Sequence, residues 1–395
     1  MDRLDERDRG QVTRLVLGVI GARGFLDGRI DARLRGPAKL EPKVRDALRL
    51  AVFELLFCAT PAAVVVSQGV ELVRGVRPRA AALANAVLRR VADEDVSVRT
   101  AALAGMTGAR NDRVGCANGS EDRVSCSAWV SGYPEWLLDR LGEARDEVAL
   151  SATEAAPVYV VANLALHDDE QTCALLEEAG LAPRPTDLPG SFVLGAPAGL
   201  VASGLVESCD VAVADLSAQR VARQAGVRPG MRVLEVGQGR GTKSLLLQSA
   251  ALRAGGSASI VGIDSVAYKP KVAARRMERS GLASDVACLH FDACQLASDQ
   301  LPAELSEPFD LVFVDAPCSG TGTMRRHPEI VWGLSPADVS ALAGLQIQIL
   351  RSAATRVRPG GTLCYATCSL LREENEDVVE AFLASRAGRI FGREG

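Results

Sequence analysis

Apolar residues recur every three or four positions through the first hundred residues. Val12, Leu15, Val16, Val19 and Ile20 share one helical face, as do Leu48, Ala51, Val52, Leu55 and Leu56, then Val66, Val70, Leu72 and Val73, then Leu83, Val87, Leu88 and Val91. The pattern predicts a small all-α bundle over residues 1–104. Residues 105–127 have no period and are rich in Gly, Asn and Ser, which reads as a linker or insertion. A short helix, Pro134 to Leu141, and a strand, Pro157 to Asn163, then open a stretch of mixed short elements, a small α+β piece over 128–212. From Val213 the pattern changes again. Strand-like runs at Arg232–Val236, Ser259–Ile263, Asp285–Leu289, Phe309–Val314 and Thr362–Ala366 alternate with helical stretches, so residues 213–395 are expected to form a doubly wound, mostly parallel sheet. Ligands of such sheets bind beyond the carboxyl ends of the strands.

Length and composition agree with a multidomain chain. At 395 residues it is too long for one core, and 48% hydrophobic content is ample for burial. No run approaches the roughly 20 apolar residues that span a bilayer, and the charged start Met1-Asp2-Arg3-Leu4-Asp5-Glu6-Arg7 has no apolar segment behind it. A cytoplasmic protein with no membrane partner is expected, and a monomer. The ten cysteines include no CxxC pair, so most read as small buried hydrophobes. Three histidines, His167, His290 and His327, leave few candidates for zinc or for a Ser/His/Asp triad, and no metal is expected. The net charge of −4 hides an asymmetry, because residues 1–100 hold 18 Lys/Arg against 13 Asp/Glu. An anionic partner would favour that basic part.

Candidate chemistry begins at Arg232-Val233-Leu234-Glu235-Val236-Gly237-Gln238-Gly239-Arg240-Gly241-Thr242-Lys243-Ser244, a strand, a glycine-rich turn and a helix start. Glycines permit positive φ and close backbone approach, and a helix N-terminus favours polar or anionic groups. A dinucleotide loop fails at its third glycine position, which is Ser244. A Walker A loop fits from Gly237 to Ser244 except that Thr242 replaces the last glycine, and Leu311–Asp315 could pass as the strand that ends in a Mg²⁺-holding Asp. A P-loop NTPase therefore stands as an alternative. The third reading is a methyltransferase loop, Glu235 followed by Gly237, Gly239 and Gly241. Asp264, at the end of the second strand, would hold the ribose of S-adenosyl-L-methionine, and Asp292, after the third, would face its adenine. Two acids at successive strand ends would repel a triphosphate. Lys243 could reach the cofactor carboxylate.

A second constellation lies at two further strand ends. One strand runs into Asp315-Ala316-Pro317-Cys318 and another into Thr367-Cys368-Ser369. If the strands are adjacent, both thiols and the carboxylate converge beside the methyl donor. Carbon 5 of a pyrimidine is too electron-poor to take a methyl group directly. A thiolate adding to carbon 6 makes carbon 5 enamine-like, and the sulfur leaves once the carbon 5 proton is removed. Such an enzyme needs a nucleophile, an acid at the ring nitrogen and help with release.

Asp315-Ala316-Pro317-Cys318-Ser319-Gly320-Thr321-Gly322, Arg325-Arg326-His327-Pro328-Glu329-Ile330 with Trp332, and Tyr365-Ala366-Thr367-Cys368-Ser369 followed by Glu373-Glu374-Asn375 resemble the signatures of the Sun/RsmB family of 16S rRNA cytosine-5 methyltransferases. The resemblance implies Cys368 as nucleophile, Cys318 in product release and Asp315 at the cytosine edge. It also implies RNA, most specifically 16S rRNA, as the partner, with Arg325, Arg326 and His327 contacting it. Trp332 is a candidate for stacking on a flipped base, or for a core role. Leu48 to Leu56 and Asn85-Ala86-Val87-Leu88-Arg89-Arg90 resemble the NusB-like RNA-binding domain that bacterial members carry in front. A non-enzymatic NusB-type factor would explain that part but not the paired cysteines. The chain departs from the family where its cofactor loop reads Cys-Ala-Ala-Pro-Gly-Gly-Lys-Thr, keeping only Gly241 and Lys243, and where Val161 replaces an Arg of the middle domain.

Overall fold

The computed structural model describes residues 6–34, 40–94, 132–151 and 155–392. The expected linker at 105–127 lies outside them. The chain divides into two compact units, Met1–Ala156 with Gly320–Pro336 and Pro157–Ser319 with Ala337–Gly395. Among the described residues no helix is long and apolar enough to cross a membrane, and no group of three or more His, Cys, Asp or Glu is placed to hold a metal ion.

The first unit opens with five helices, α1 (Glu6–Gly21), α2 (Arg23–Asp31), α3 (Pro42–Phe57), α4 (Ala62–Val76) and α5 (Ala81–Glu94). Helix α3 is central. Its Leu48, Val52, Phe53 and Leu56 are buried with Leu26, Val65, Val73, Val87 and Leu88. Gly69 shows why a helix-weakening residue sits in α4, since a Cβ there would lie 2.7 Å from the Ala51 Cβ and 2.8 Å from Leu88. Arg49 of α3 clamps both carboxylate oxygens of Asp27 of α2 with one guanidinium edge, Nε and Nη2. The apolar stripes run slightly off the sequence expectation. Leu72, Leu83 and Val16 are exposed, and the inward face of α4 is Val65, Gly69 and Val73.

The second unit contains two sheets. The smaller has strand order β2-β3-β1-β4, from β1 (Tyr159–Ala162), β2 (Pro183–Pro185), β3 (Ser191–Leu194) and β4 (Val211–Val213), and β1 pairs antiparallel with β3 and β4. The larger is built from β5 (Arg232–Val236), β6 (Ser259–Asp264), β7 (Val286–His290), β8 (Phe309–Asp315) and β9 (Val357–Ala366), in the order β7-β6-β5-β8-β9. All four of its pairings are parallel. Both faces are covered: Leu311 and Phe313 enter one core, and Val312 and Val314, pointing the other way, enter another. The chain leaves β5 toward β6 and β7, then returns to place β8 on the other side of β5. The crevice at the carboxyl ends of β5 and β8 is thus the switch point where such sheets bind ligands.

Candidate active site

Every predicted site residue except Arg325, Arg326 and His327 follows or ends a strand of the parallel sheet. After β5 the chain turns through Gly237, Gly239 and Gly241, with φ of +81°, +60° and +79°. Only glycine enters that region at little cost. At Gly237 space is also limiting, because a Cβ would lie 2.2 Å from the Asp315 carbonyl oxygen. The N–H groups of Gly237 and Gln238 donate to the Ile263 carbonyl at 2.9 and 3.0 Å, tying the loop to β6. The Gly239 N–H donates to Asp264 Oδ2 at 3.0 Å, and the Val266 N–H to Oδ1 at 2.8 Å. Asp292 is exposed and accepts from the Cys294 N–H at 3.0 Å.

Three side chains of the loop are engaged by other parts of the protein. Gln238 is buried against Gly262 and donates to Ser244 Oγ at 3.0 Å and to Cys288 Sγ at 3.2 Å. The Thr242 hydroxyl accepts from Arg276 at 2.6 Å. Lys243, expected at a cofactor carboxylate, is ion-paired with Asp315. Arg240 is exposed. Beneath the loop Glu235 is fully buried, and desolvation pushes its carboxyl up to about 8 against a hydrogen bond from the Ser244 hydroxyl.

That shift sets a sign for stability. The folded carboxyl holds its proton more tightly than the unfolded one, so its contribution is whole below about 4.5 and is lost as pH rises toward about 8. Replacing Glu235 by Gln is expected to flatten the fall of the thermal midpoint across that window. Parallel curves for the two proteins, followed by scanning calorimetry, would refute the assignment.

On the other side of the switch point, β8 ends at Asp315. The Ala316 N–H adds one more rung to the ladder by donating to the Ala366 carbonyl at 3.0 Å. Pro317, lacking an N–H, then ends the strand. Strand β9 lies directly beside β8, with Asp315 opposite Ala366. The two cysteines therefore meet: Cys318 Sγ lies 3.1 Å from Cys368 Sγ, and the Cys368 N–H donates to Cys318 Sγ at 3.3 Å. Cys368 is exposed and Cys318 half-buried. With the Cys318 thiol donating to it, Cys368 is brought down to about 7, against the opposing effects of burial and of Asp315. Burial raises the Asp315 carboxyl above its usual range in spite of Lys243. Among the eight described cysteines only Cys209 is buried, so the expectation that most are core residues is not met; the half-buried Cys364 is nevertheless pushed up to about 11 by burial.

Each cysteine loop has its own anchor. Asn375 accepts from the Thr367 hydroxyl at 2.6 Å and donates to the Ser369 and Leu371 carbonyls at 3.1 and 2.9 Å. Glu374, fully buried, accepts from the Ser319 N–H at 2.8 Å, from the Ser319 hydroxyl, and from Gln346 Nε2 at 3.0 Å. Gln346 also donates to the Pro317 carbonyl at 2.8 Å. Sequence reasoning passed over Gln346. The signal was a polar residue on the apolar stripe of its helix, in phase with the buried Val339, Ile349, Leu350 and Ala353.

The remaining candidates belong to the first unit. Arg325 donates to the Ala155 carbonyl at 2.9 Å, and His327 pairs with Glu329 at 3.2 Å. Trp332 is not presented for stacking. Its indole N–H donates to the Ile20 carbonyl at 2.9 Å, and Arg23 lies over the ring at 5.3 Å.

A model of the 16S rRNA methyltransferase RsmB/F family matches residues 227–390, and a model of the NusB family matches residues 1–93. Ribosomal RNA small subunit methyltransferase B of Thermus thermophilus is 31% identical over 386 residues, 96% of this chain and 79% of that protein. The chain belongs to the RsmB/F family. Its N-terminal helices are the NusB-like domain, and its parallel sheet is the methyltransferase domain. Two solved structures share the fold. The crystal structure of PH0851 matches with a TM-score of 0.68 at 22% identity, covering 96% of this chain and 80% of that one. A methyltransferase homolog from Pyrococcus horikoshii matches with a TM-score of 0.55 at 22% identity, covering 67% and 83%.

Membership of RsmB/F makes the chain an enzyme of an RNA cytosine-5 methyltransferase family that uses S-adenosyl-L-methionine. The crevice fits that cofactor. Gly237 lets the loop pack against the end of β8, where a Cβ would meet the Asp315 carbonyl oxygen, and Asp264 is held at the end of β6 by two backbone amides. The P-loop NTPase reading is set aside with the same finding.

Proposed function

We propose that the protein methylates carbon 5 of a cytosine in 16S rRNA through a covalent bond between Cys368 and the base. The observation that carries this reading is the 3.1 Å approach of Cys318 and Cys368, beside Asp315, at the ends of adjacent parallel strands. When bound, S-adenosyl-L-methionine supplies an electrophilic methyl group. Backbone groups of Gly237 to Gly241 with Asp264 would hold it, and Asp292 would be on the adenine side.

The Cys368 thiolate adds to carbon 6 of the flipped cytosine, and the electron pair moves through carbon 5 toward the ring carbonyl and N3. Asp315, whose carboxyl burial keeps easier to protonate, stabilises the charge at N3, and Lys243 fixes its orientation. Carbon 5 then carries the electron density that takes the methyl group. Transfer of the carbon 5 proton to solvent restores the double bond and expels the Cys368 thiolate. Cys318, in contact with the departing sulfur, assists that release. Residues 1–104 hold the RNA as a NusB-like domain, with 128–212 as a smaller RNA-binding element ahead of the methyltransferase domain at 213–395. Arg325, Arg326 and His327 add contacts to the phosphate backbone.

The direct test supplies S-adenosylmethionine with a labelled methyl group and a 16S rRNA transcript, then digests the RNA to nucleosides. Label in 5-methylcytidine is expected. Label in another nucleoside, or none with a protein that binds the cofactor, would refute the reading.

A further inference from the structure

We propose that Glu374 is a positioning residue whose carboxylate sets the Cys318 thiol against Cys368. The proposal deepens the reading of the thiol pair as the reacting site and rests on it. Glu374 is fully buried, yet among the described residues no cation pairs with it. Three donors converge on it instead: the Ser319 N–H at 2.8 Å, the Ser319 hydroxyl and Gln346 Nε2 at 3.0 Å. A buried carboxylate is costly unless its lone pairs are taken up, so this arrangement is rigid.

Its geometry is directed at one atom. Ser319 follows Cys318 directly and Pro317 precedes it. Glu374 holds the first, while Gln346, itself bonded to Glu374, holds the Pro317 carbonyl at 2.8 Å. The residue bearing the thiol is thus fixed from both flanks. The Ser319 hydroxyl also meets the Ser369 hydroxyl at 3.2 Å, which joins this clamp to the loop carrying Cys368. The Cys368 loop has a separate anchor in Asn375. Loss of Glu374 is therefore expected to move Cys318 and leave Cys368 in place.

The consequence is chemical. Cys318 is the donor that favours the Cys368 thiolate, and the charged groups around that sulfur are otherwise Asp315 and Lys243. Asp315 ends β8, Lys243 lies in the helix Thr242–Arg253, and the two are paired with each other. If Glu374 acts through Cys318, its removal should matter only while Cys318 is a cysteine.

The test is the pH profile of Cys368 alkylation by iodoacetamide, resolved by peptide mass spectrometry on the full-length protein without RNA. Four proteins form a double-mutant cycle: the wild type, Glu374→Ala, Cys318→Ala and the double variant. In the wild-type background Glu374→Ala is expected to raise the midpoint by about one pH unit, an approximately fivefold slower reaction at pH 7. In the Cys318→Ala background it is expected to add nothing. An unchanged midpoint in Glu374→Ala, or an equal rise in both backgrounds, would overturn the proposal.

Binding of S-adenosylhomocysteine serves as the control for folding. Should Glu374→Ala lose it, Ser319→Ala, which removes the hydroxyl bonds and keeps the N–H bond, is read in the same cycle. A smaller rise confined to the Cys318 background is then expected, and no rise overturns the proposal equally. Glu374→Gln, which keeps an acceptor for the Ser319 N–H, is expected to restore the wild-type profile. Because the assay contains no RNA, it separates from the proposed function: a protein that never bonds covalently to RNA would sink that reading and leave this result standing.

Discussion

Replacing Cys368 by alanine is expected to abolish methyl transfer while leaving cofactor binding intact. Removing the nucleophile of an enzyme that works by covalent catalysis costs on the order of 10⁴- to 10⁶-fold in turnover. The specific reason here is that no other group can stand in. Cys318 lies only 3.1 Å away, but it sits on the other loop and follows Pro317. Serine at position 368 should be almost as poor, because a hydroxyl is not ionised where the Cys368 thiol stands at about 7. In the wild type the rate of bond formation to RNA should climb through that pH and level off above it. Single-turnover kinetics with labelled cofactor measure both effects. Turnover within tenfold of wild type in Cys368→Ala would remove the nucleophile from the account.

The second large effect is expected at Gly237. Alanine there meets two obstacles together, a φ of +81° and a Cβ position 2.2 Å from the Asp315 carbonyl oxygen. Holding a non-glycine residue in such a conformation costs about 1–3 kcal/mol, and the overlap forces the loop or the end of β8 to move. Both outcomes damage the site, since one spoils the cofactor cradle and the other displaces Asp315. Binding of S-adenosylhomocysteine is expected to weaken at least about tenfold, with a lower thermal midpoint, as read by titration calorimetry and a melting curve. Gly239 provides the comparison. Its φ is also positive, at +60°, but a Cβ would find no other atom nearer than 3.9 Å. Gly239→Ala should therefore show only the conformational cost. Equal effects at the two positions would mean that close approach to Asp315 is unimportant.

Much of this site could be read from the chain because parallel strands buried on both faces produce uninterrupted apolar runs. Leu311-Val312-Phe313-Val314 is such a run, and the polar residue that breaks it, Asp315, falls at the sheet edge where ligands bind. The same logic located Asp264 and Thr367-Cys368. It failed where sequence position and spatial neighbourhood part company. Strand β9 begins at Val357, five residues before the expected start, because Pro359, Gly360 and Gly361 look like a turn but are tolerated on an edge strand with an irregular register. Gln238 sits in a ligand loop, yet its side chain is drawn inward by the space above Gly262. Lys243 is paired with a carboxylate 72 residues away, a partner no local pattern reveals. Trp332 answers to Ile20, across 312 residues. Helix faces in the NusB-like domain slipped by a residue for a related reason: in α4 two neighbouring helices, rather than periodicity alone, decide which valines turn inward.

The central claim is that Cys368 bonds to the base and that Cys318 is needed for its release. It is tested most directly by incubating Cys318→Ala with S-adenosylmethionine and a 16S rRNA transcript, then separating the products under denaturing conditions. A protein–RNA species stable to denaturant is predicted in Cys318→Ala, far less in the wild type, and none when Cys368 is also replaced. A conjugate that survives the loss of Cys368, or its absence from Cys318→Ala protein that binds both cofactor and RNA, would contradict the account.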